Sequence, residues 1–402
     1  MAGTNRRTFL RQTLQLATGA LLTGCTTVPS MGATNVGMAA ITDRRGVALP
    51  PPLTSSLLRP AVPTPDVSLA AKIGQMIMVG FRGRAVDTRD EIVQQIADGL
   101  VGSVVLFGRN VETPAQVQAL TATLRGYSPI PLLVAIDQEG GWVARLQRGF
   151  GIGSNYSAQF LGARNELDLT RSQGERTAQR LAELGINLNL APVVDLNTNP
   201  GNPIIGRYER SYSADPAIVT DHARAVIEAH RPHHVFCTLK HFPGHGSSRG
   251  DTHYGFVDVT DTWSITELSP YAALIGAQSC DVIMTAHIFN ATLDPEYPAT
   301  LSANIITGIL REKLGYAGVV ISDDMQMGAI VNQYNLETAV RLAIQAGIDI
   351  IAFSNNIPFS RTANAKRLHE IMTRLVETGV ISPERIDQSY QRIMRLKRQL
   401  AD

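Results

Sequence analysis

The 402-residue chain is short of cysteine, with three, and of tryptophan, with two, and it has no surplus of either charge sign: 36 lysines and arginines face 35 aspartates and glutamates. Each shortage excludes something. Two cysteines beyond Cys25 do not make a disulfide framework in a domain this size; Cys237 and Cys280, beside the apolar runs "VFCTL" and "SCDVIM", read as small buried hydrophobes. Balanced charge, with no basic block outside the extreme N-terminus, gives a polyanion no field to follow, so nucleic acid is not an expected partner and a neutral substrate fits better. The apolar run "TLQLATGALLTG" near the N-terminus falls short of the about 20 residues that a membrane-spanning helix needs. What the chain does have is 44% hydrophobic residues, enough for a large core.

That N-terminal run belongs to an export signal over residues 1–24. Arg6 and Arg7 ahead of Phe9 and Leu10 resemble a twin-arginine signal, and "LTGC", ending at Cys25, resembles a bacterial lipoprotein processing site. Cleavage before Cys25 and lipidation of its thiol are expected, which would tether the protein to the periplasmic face of a bacterial membrane. Residues 25–66 are rich in Pro, Thr and Ser without apolar periodicity and read as a linker. Residues 67–402 are expected to form one catalytic domain.

From Val67 onward, eight short apolar runs alternate with amphipathic helical segments: 75–81, 102–108, 131–138, 187–196, 235–242, 281–288, 318–324 and 349–355. Buried runs separated by crossover helices imply parallel strands. Eight such units predict an α/β fold, a (β/α)8 TIM barrel with insertions, in preference to a doubly wound sheet. The polar residues fall at the C-terminal ends of the runs: Asp137, Asp195, Lys240 with His241, His287, and Asp323 with Asp324. In a barrel these ends meet at one mouth, where active sites are built.

Several groups there could carry chemistry. "VVISDD" delivers two aspartates to a polar pocket or to solvent, the first suited to the site and the second to its support or to a helix cap. "KHFPGHGSSRGDTH" holds three histidines and Asp251, but Pro243 and Gly244 separate His241 from His245, so the helical two-histidine zinc spacing is missing and no metal or other cofactor is expected. Asp251 and His253 stand two apart, on one face of an extended segment, where the carboxylate can raise the basicity of the imidazole. "GSSRG" reads as a mobile hinge. Asp137, Arg145, Arg210 and Lys240 are the carboxylate, arginine and lysine groups at the mouth whose directional hydrogen bonds suit neutral hydroxyls, each arginine being otherwise a solvated or ion-paired surface group. Trp142 could stack on a sugar ring, and a partly buried anchor is the expected reading.

The motifs "IDQEGGWVARL", "NLNLAPVVDL", "ERSYSADP", "KHFPGHG" followed by "DTH", "IMTAHI" and "GVVISDDMQMGAI" occur together, and with them the chain resembles the β-N-acetylglucosaminidases of glycoside hydrolase family 3 from about Val67 to Gln399. The resemblance implies Asp323 as nucleophile, His253 as general acid/base with Asp251 as its partner, and Asp137, Arg145, Arg210, Lys240 and His241 as the substrate-binding set. It implies retaining hydrolysis of terminal β-linked N-acetylglucosamine, from peptidoglycan or its fragments given the export signal. It also implies no second domain supplying a carboxylate acid. Trp142 stands where the motif commonly has Arg. Three rivals are a phosphorylase, since a histidine acid/base suits an anionic acceptor, a metal-dependent hydrolase, and a non-catalytic cell-wall-binding lipoprotein.

Overall fold

A computed structural model describes residues 67–147, 149–356 and 364–400. The signal over 1–24, the Cys25 lipidation site and the linker over 25–66 lie outside the described residues.

Each of the eight apolar runs contains a strand whose residues are all buried, as expected where helices cover the outside and neighbouring side chains fill the inside. The strands are β1 (Ile77–Gly80), β2 (Ser103–Leu106), β3 (Leu133–Ile136), β6 (Leu188–Asn189), β7 (Phe236–Phe242), β8 (Val282–Thr285), β9 (Val319–Ile321) and β10 (Ile351–Phe353); β4 (Gln138–Gly140) and β5 (Val143–Ala144) form a separate antiparallel hairpin. The eight pair in parallel in the order β10-β1-β2-β3-β6-β7-β8-β9. A bridge between Ile321 and Ile350 joins the last to the first and closes an eight-stranded parallel barrel.

The connecting helices start where local chemistry dictates. Thr113, Asp215 and Ser382 each precede a proline, and each side chain accepts a hydrogen bond from a first-turn backbone N–H, of Gln116 (3.2 Å), Ala217 (2.8 Å) and Arg385 (3.2 Å). At the N-terminal ends of the strands the closing helix Pro383–Arg398 is held by polar contacts. Buried Asp349 accepts from Arg311 Nη2 (2.6 Å), Arg392 Nη1 (3.1 Å) and Ser389 Oγ (2.7 Å). Lys397 Nζ, also buried, reaches only neutral oxygens: Gln75 Oε1 (2.6 Å) and the Gly102 carbonyl (2.7 Å). Cys237 is buried and Cys280 half-buried, both as free thiols.

Candidate active site

The mouth is built around a buried lysine. Lys240, on β7, extends Nζ to Asp137 Oδ1 (2.9 Å), just past β3, and to Glu139 Oε1 (2.6 Å), on β4. Arg210, from the loop after β6, forks onto Glu139 through Nε and Nη2, both at 2.8 Å, and Arg145 Nη2 lies 3.3 Å from Asp137 Oδ2. Burial alone drives the Glu139 carboxyl up, but Arg210 and Lys240 more than offset it and hold it at about 2. The same balance works in reverse on Lys240: burial opposes its charge, and Asp137 and Glu139 raise its pKa overall. Glu139 and Lys240 are therefore both ionised at neutral pH. Glu139 was not among the residues expected from sequence.

The hairpin's shape presents this clamp. Gln138 Oε1 accepts from the backbone N–H groups of Arg145 (3.0 Å) and Leu146 (2.9 Å), tying its two strands. Gly141 turns the tip at φ +56°, against Ser157, where a Cβ would come within 2.6 Å of that residue's Cβ. Trp142 follows at the tip and is 70% exposed. This overturns the partly buried anchor: the turn made by Gly141 at the tip leaves the next side chain facing solvent.

His241 is fixed by two partners. Its Nδ1 lies 2.7 Å from Asp195 Oδ2 and its Nε2 lies 3.3 Å from Arg210 Nη2. Arginine only donates, so Nε2 accepts and Nδ1 carries the proton given to Asp195. Fully buried Asp195 also accepts the backbone N–H groups of His241 (3.1 Å) and His245 (2.8 Å), holding the "KHFPGHG" turn from below. His245 is itself buried, which pushes its pKa down to about 4, and its Nε2 faces Thr252 Oγ1 at 3.4 Å. Glu267 lies under the same turn and accepts from the Leu196 N–H (3.2 Å); burial, then Asp195, raise it to about 8, so it is a neutral acid at pH 7. Asp195 was seen only as a strand end, and Glu267 lacked any motif.

Asp251 and His253 do meet, but through a turn and not on one face of an extended segment. Asp251 Oδ1 accepts the His253 backbone N–H (2.9 Å) and sits 2.7 Å from its Nδ1. A two-residue side-chain-to-backbone turn brings the ring back over the carboxylate, which an extended chain would not. The expected hinge is also different: Ser247 and Ser248 are buried, with Thr262 Oγ1 3.4 Å from Ser247 Oγ and Asn199 Nδ2 donating to the Ser248 carbonyl (2.8 Å). Beyond it, the carbonyls of Thr252, His253 and Tyr254 accept from Ala329 N (3.1 Å), Gly328 N (2.9 Å) and Asn332 Nδ2 (3.2 Å). The His253 segment thus rests on the helix Gly328–Val331 that follows β9.

Asp323 emerges just past β9, beside that helix. Burial pushes its carboxyl up, but the neighbouring His287, His241 and His253 side chains and the Asp324 N–H, 2.7 Å from Oδ1, offset this and leave it below the ordinary carboxylate value. Asp324 turns the other way and binds the Gln326 N–H (3.0 Å), the Ser354 N–H (3.1 Å) and the Ser354 hydroxyl. His287 donates Nε2–H to the Asp324 carbonyl (3.0 Å), a group that only accepts, with Nδ1 2.8 Å from Thr300 Oγ1. Of the expected residues, Asp137, Arg145, Arg210, Lys240 and His241 form one connected network, and Asp251 with His253 forms a second group docked beside Asp323. Among the described residues, no three His, Cys, Asp or Glu side chains converge as metal ligands.

The family described as Glycosyl hydrolase family 3 N terminal domain matches residues 68–396. The chain is 32% identical over 407 residues to Beta-hexosaminidase A of Pseudoalteromonas piscicida, covering 90% of this chain and 64% of that protein. It is 38% identical over 320 residues to Beta-hexosaminidase of Xylella fastidiosa strain M23, covering 76% of this chain and 92% of that one. Among solved structures, a glycoside hydrolase family 3 beta-N-acetylglucosaminidase from Paenibacillus sp. str. FPU-7 superimposes with a TM-score of 0.77 at 37% identity, over 83% of this chain and 63% of that chain. The chain therefore spans slightly less than two thirds of the Pseudoalteromonas and Paenibacillus proteins.

Proposed function

For this chain, which belongs to glycosyl hydrolase family 3, we propose the activity of a retaining β-N-acetylhexosaminidase that releases terminal, non-reducing β-linked N-acetylglucosamine. The observation that carries the proposal is the docking of the Asp251–His253 turn on the helix that immediately follows Asp323. It gives one pocket an ionised carboxylate and, on a different loop, an imidazole whose Nδ1 is committed to Asp251, leaving Nε2 for the substrate.

In the first step Asp323 attacks the anomeric carbon while His253 Nε2 gives its proton to the leaving oxygen. In the second, neutral His253 takes a proton from water, which attacks the same carbon and releases Asp323. Asp251 holds the ring in orientation and supports its positive charge in the protonated form. A neutral imidazole places no second negative charge near the nucleophile, in contrast to a carboxylate pair. Lys240, Arg210 and Arg145, immobilised by Asp137 and Glu139, present their remaining donors to sugar hydroxyls, with His241 beside them.

Asp323→Ala and His253→Ala, assayed on aryl and alkyl N-acetylglucosaminides, test this. Asp323→Ala should lose activity on both. His253→Ala should lose about 10²–10⁴-fold on the alkyl glycoside, whose leaving group needs protonation, and far less on an activated aryl glycoside. Equal losses on the two substrates would remove His253 from the acid role, and strict dependence on added phosphate would replace hydrolysis by phosphorolysis. The sequence before Val67 extends the proposal to a lipid-anchored protein at the periplasmic face of the membrane, acting on peptidoglycan or its fragments. Failure of Cys25 to incorporate a palmitate analogue in cells would end that part alone.

A further inference from the structure

Two carboxyl groups lie beneath the "KHFPGHG" turn, and they hold different halves of it. Asp195 takes the first half, through the backbone N–H groups of His241 and His245 and the His241 ring. Glu267, in the short helix Ile265–Leu268, takes the second. Its side chain is fully buried directly under Gly244, where a Cβ would come within 2.5 Å of the Glu267 Cβ. Oε2 accepts the Leu196 N–H (3.2 Å), and the N–H groups of Gly246 and Ser247 lie close enough to favour a charge on it. A Cβ on Gly246 would collide with the Leu196 carbonyl oxygen, so this glycine is wedged against the residue that Glu267 binds.

The second half of the turn is where the acid/base arm begins. From Ser247 the chain runs through Ser248, Arg249 and Gly250 to Asp251 and His253. The other holds on this departure point are neutral amides: Asn202 Nδ2 donates to the His245 (2.8 Å) and Gly246 (3.1 Å) carbonyls, and Asn199 Nδ2 to that of Ser248 (2.8 Å). Glu267 alone among these holds can change its charge. Its Oε1 has no hydrogen-bond partner among the described residues, so a proton there competes with none of the contacts of Oε2. The titratable groups acting on it are Asp195, from the loop after β6, and Tyr271, one turn further along the chain, whose hydroxyl is kept neutral by burial and by both carboxyls. His241 and His245 face Asp195 from the turn itself.

Resting on the glycosidase reading above, we infer that Glu267 is a positioning residue for the acid/base: by holding Leu196 and the Gly244–Ser247 half of the turn, it fixes the point from which the Asp251–His253 arm departs and so the reach of His253 to the leaving oxygen. Loss of its proton would put two negative charges under one turn, so the arm loses its seat as the pH rises through about 8.

The test uses Glu267→Gln, which keeps the shape and stays neutral, and Glu267→Ala, which removes the contact, on alkyl and activated aryl N-acetylglucosaminides. Glu267→Ala should lower kcat/KM on the alkyl glycoside by about tenfold or more and leave the aryl glycoside within about twofold, because only the first needs a proton delivered over a set distance. Glu267→Gln should match the wild type at pH 7. His253 imposes its own alkaline limb on both proteins, so the quantity to read is the ratio of Glu267→Gln to wild-type rates. That ratio should rise with pH through about 8 on the alkyl glycoside and stay flat on the aryl one. Equal losses of Glu267→Ala on the two substrates, or a ratio that does not move with pH, would overturn the inference; if Glu267→Ala fails to fold, the ratio decides. Trypsin gives a readout that does not need turnover. Arg249 lies exposed in the arm, and cleavage after it in the native protein should be faster in Glu267→Ala than in the wild type, with Glu267→Gln unchanged at pH 7. No turnover by the wild type on either substrate would end the glycosidase reading alone; faster cleavage would still support the hold of Glu267 on the arm, and an unchanged rate would overturn it.

Discussion

Among the residues, Glu139 changes the picture most. It shares Lys240 with Asp137 and takes the whole fork of Arg210, so two cations that would face sugar hydroxyls are first immobilised by one carboxylate. Replacing it with glutamine keeps the shape and removes the charge, leaving buried Arg210 with the Ile204 carbonyl and His241 as its neighbours. Glu139→Gln should cost about 3–5 kcal/mol in denaturant unfolding, the penalty of an uncompensated buried charge. It should also raise KM by about tenfold or more through loss of a charge-assisted contact. Unaltered stability with a normal KM would show that Lys240 and Arg210 hold their positions without it. The signal for Glu139 was in the sequence: "DQEGG" places it two residues from Asp137. Asp195 and Glu267 are different. They act 46 and 71 residues away from the groups they support, and only the folded path of the chain reveals that one carboxylate lies beneath His241 and another beneath the Leu196 N–H.

Among the elements, the β-strands were the easiest to read, because a strand covered on both sides has to be apolar throughout and has to stop where polarity begins. All eight runs contain their strand, and the strand-end polar residues do gather at one mouth. Loops were harder. The Gly- and Ser-rich "GSSRG" carries the composition of a hinge, yet its serines are buried by long-range contacts that composition does not encode. The seating of the His253 loop on the helix Gly328–Val331 is likewise a tertiary matter, and it depends on a glycine: a Cβ on residue 328 would lie 2.5 Å from the Tyr254 carbonyl carbon. Gly328→Ala should therefore displace the loop while leaving the barrel folded. Turnover of alkyl glycosides should fall by about tenfold or more, with activated aryl glycosides spared, since proton transfer depends on reach. Equal rates for the variant and wild type on both substrates would mean the loop keeps its place without this contact.

For the whole molecule, the two ends of the barrel carry different burdens. One end holds the ionised groups of the mouth; the other holds Asp349 with its arginines and Lys397 without any carboxylate. Burial lowers the Lys397 pKa from its ordinary 10.5 to about 7. Between these two values the unfolded chain binds a proton that the native protein does not, so this group makes stability rise with pH from about 7 to 10.5 and weighs against the fold below 7. Lys397→Met should flatten that rise when unfolding free energies at pH 6 and pH 9 are compared. A pH slope identical to that of the wild type would assign the effect to other groups.

The hairpin of β4 and β5 forms a small sheet of its own, tied to the barrel at its base, where the Gln138 N–H donates to Asn189 Oδ1 on β6 (3.1 Å) and the Gln138 carbonyl accepts from Asn189 Nδ2 (3.2 Å). Heredity can therefore act on the two parts separately. Asp137, Glu139 and Arg145 at the base are constrained by their charged partners, whereas Trp142 at the tip is mostly exposed. Residue 142 can therefore be exchanged to alter what the tip meets without a change in the skeleton beneath it.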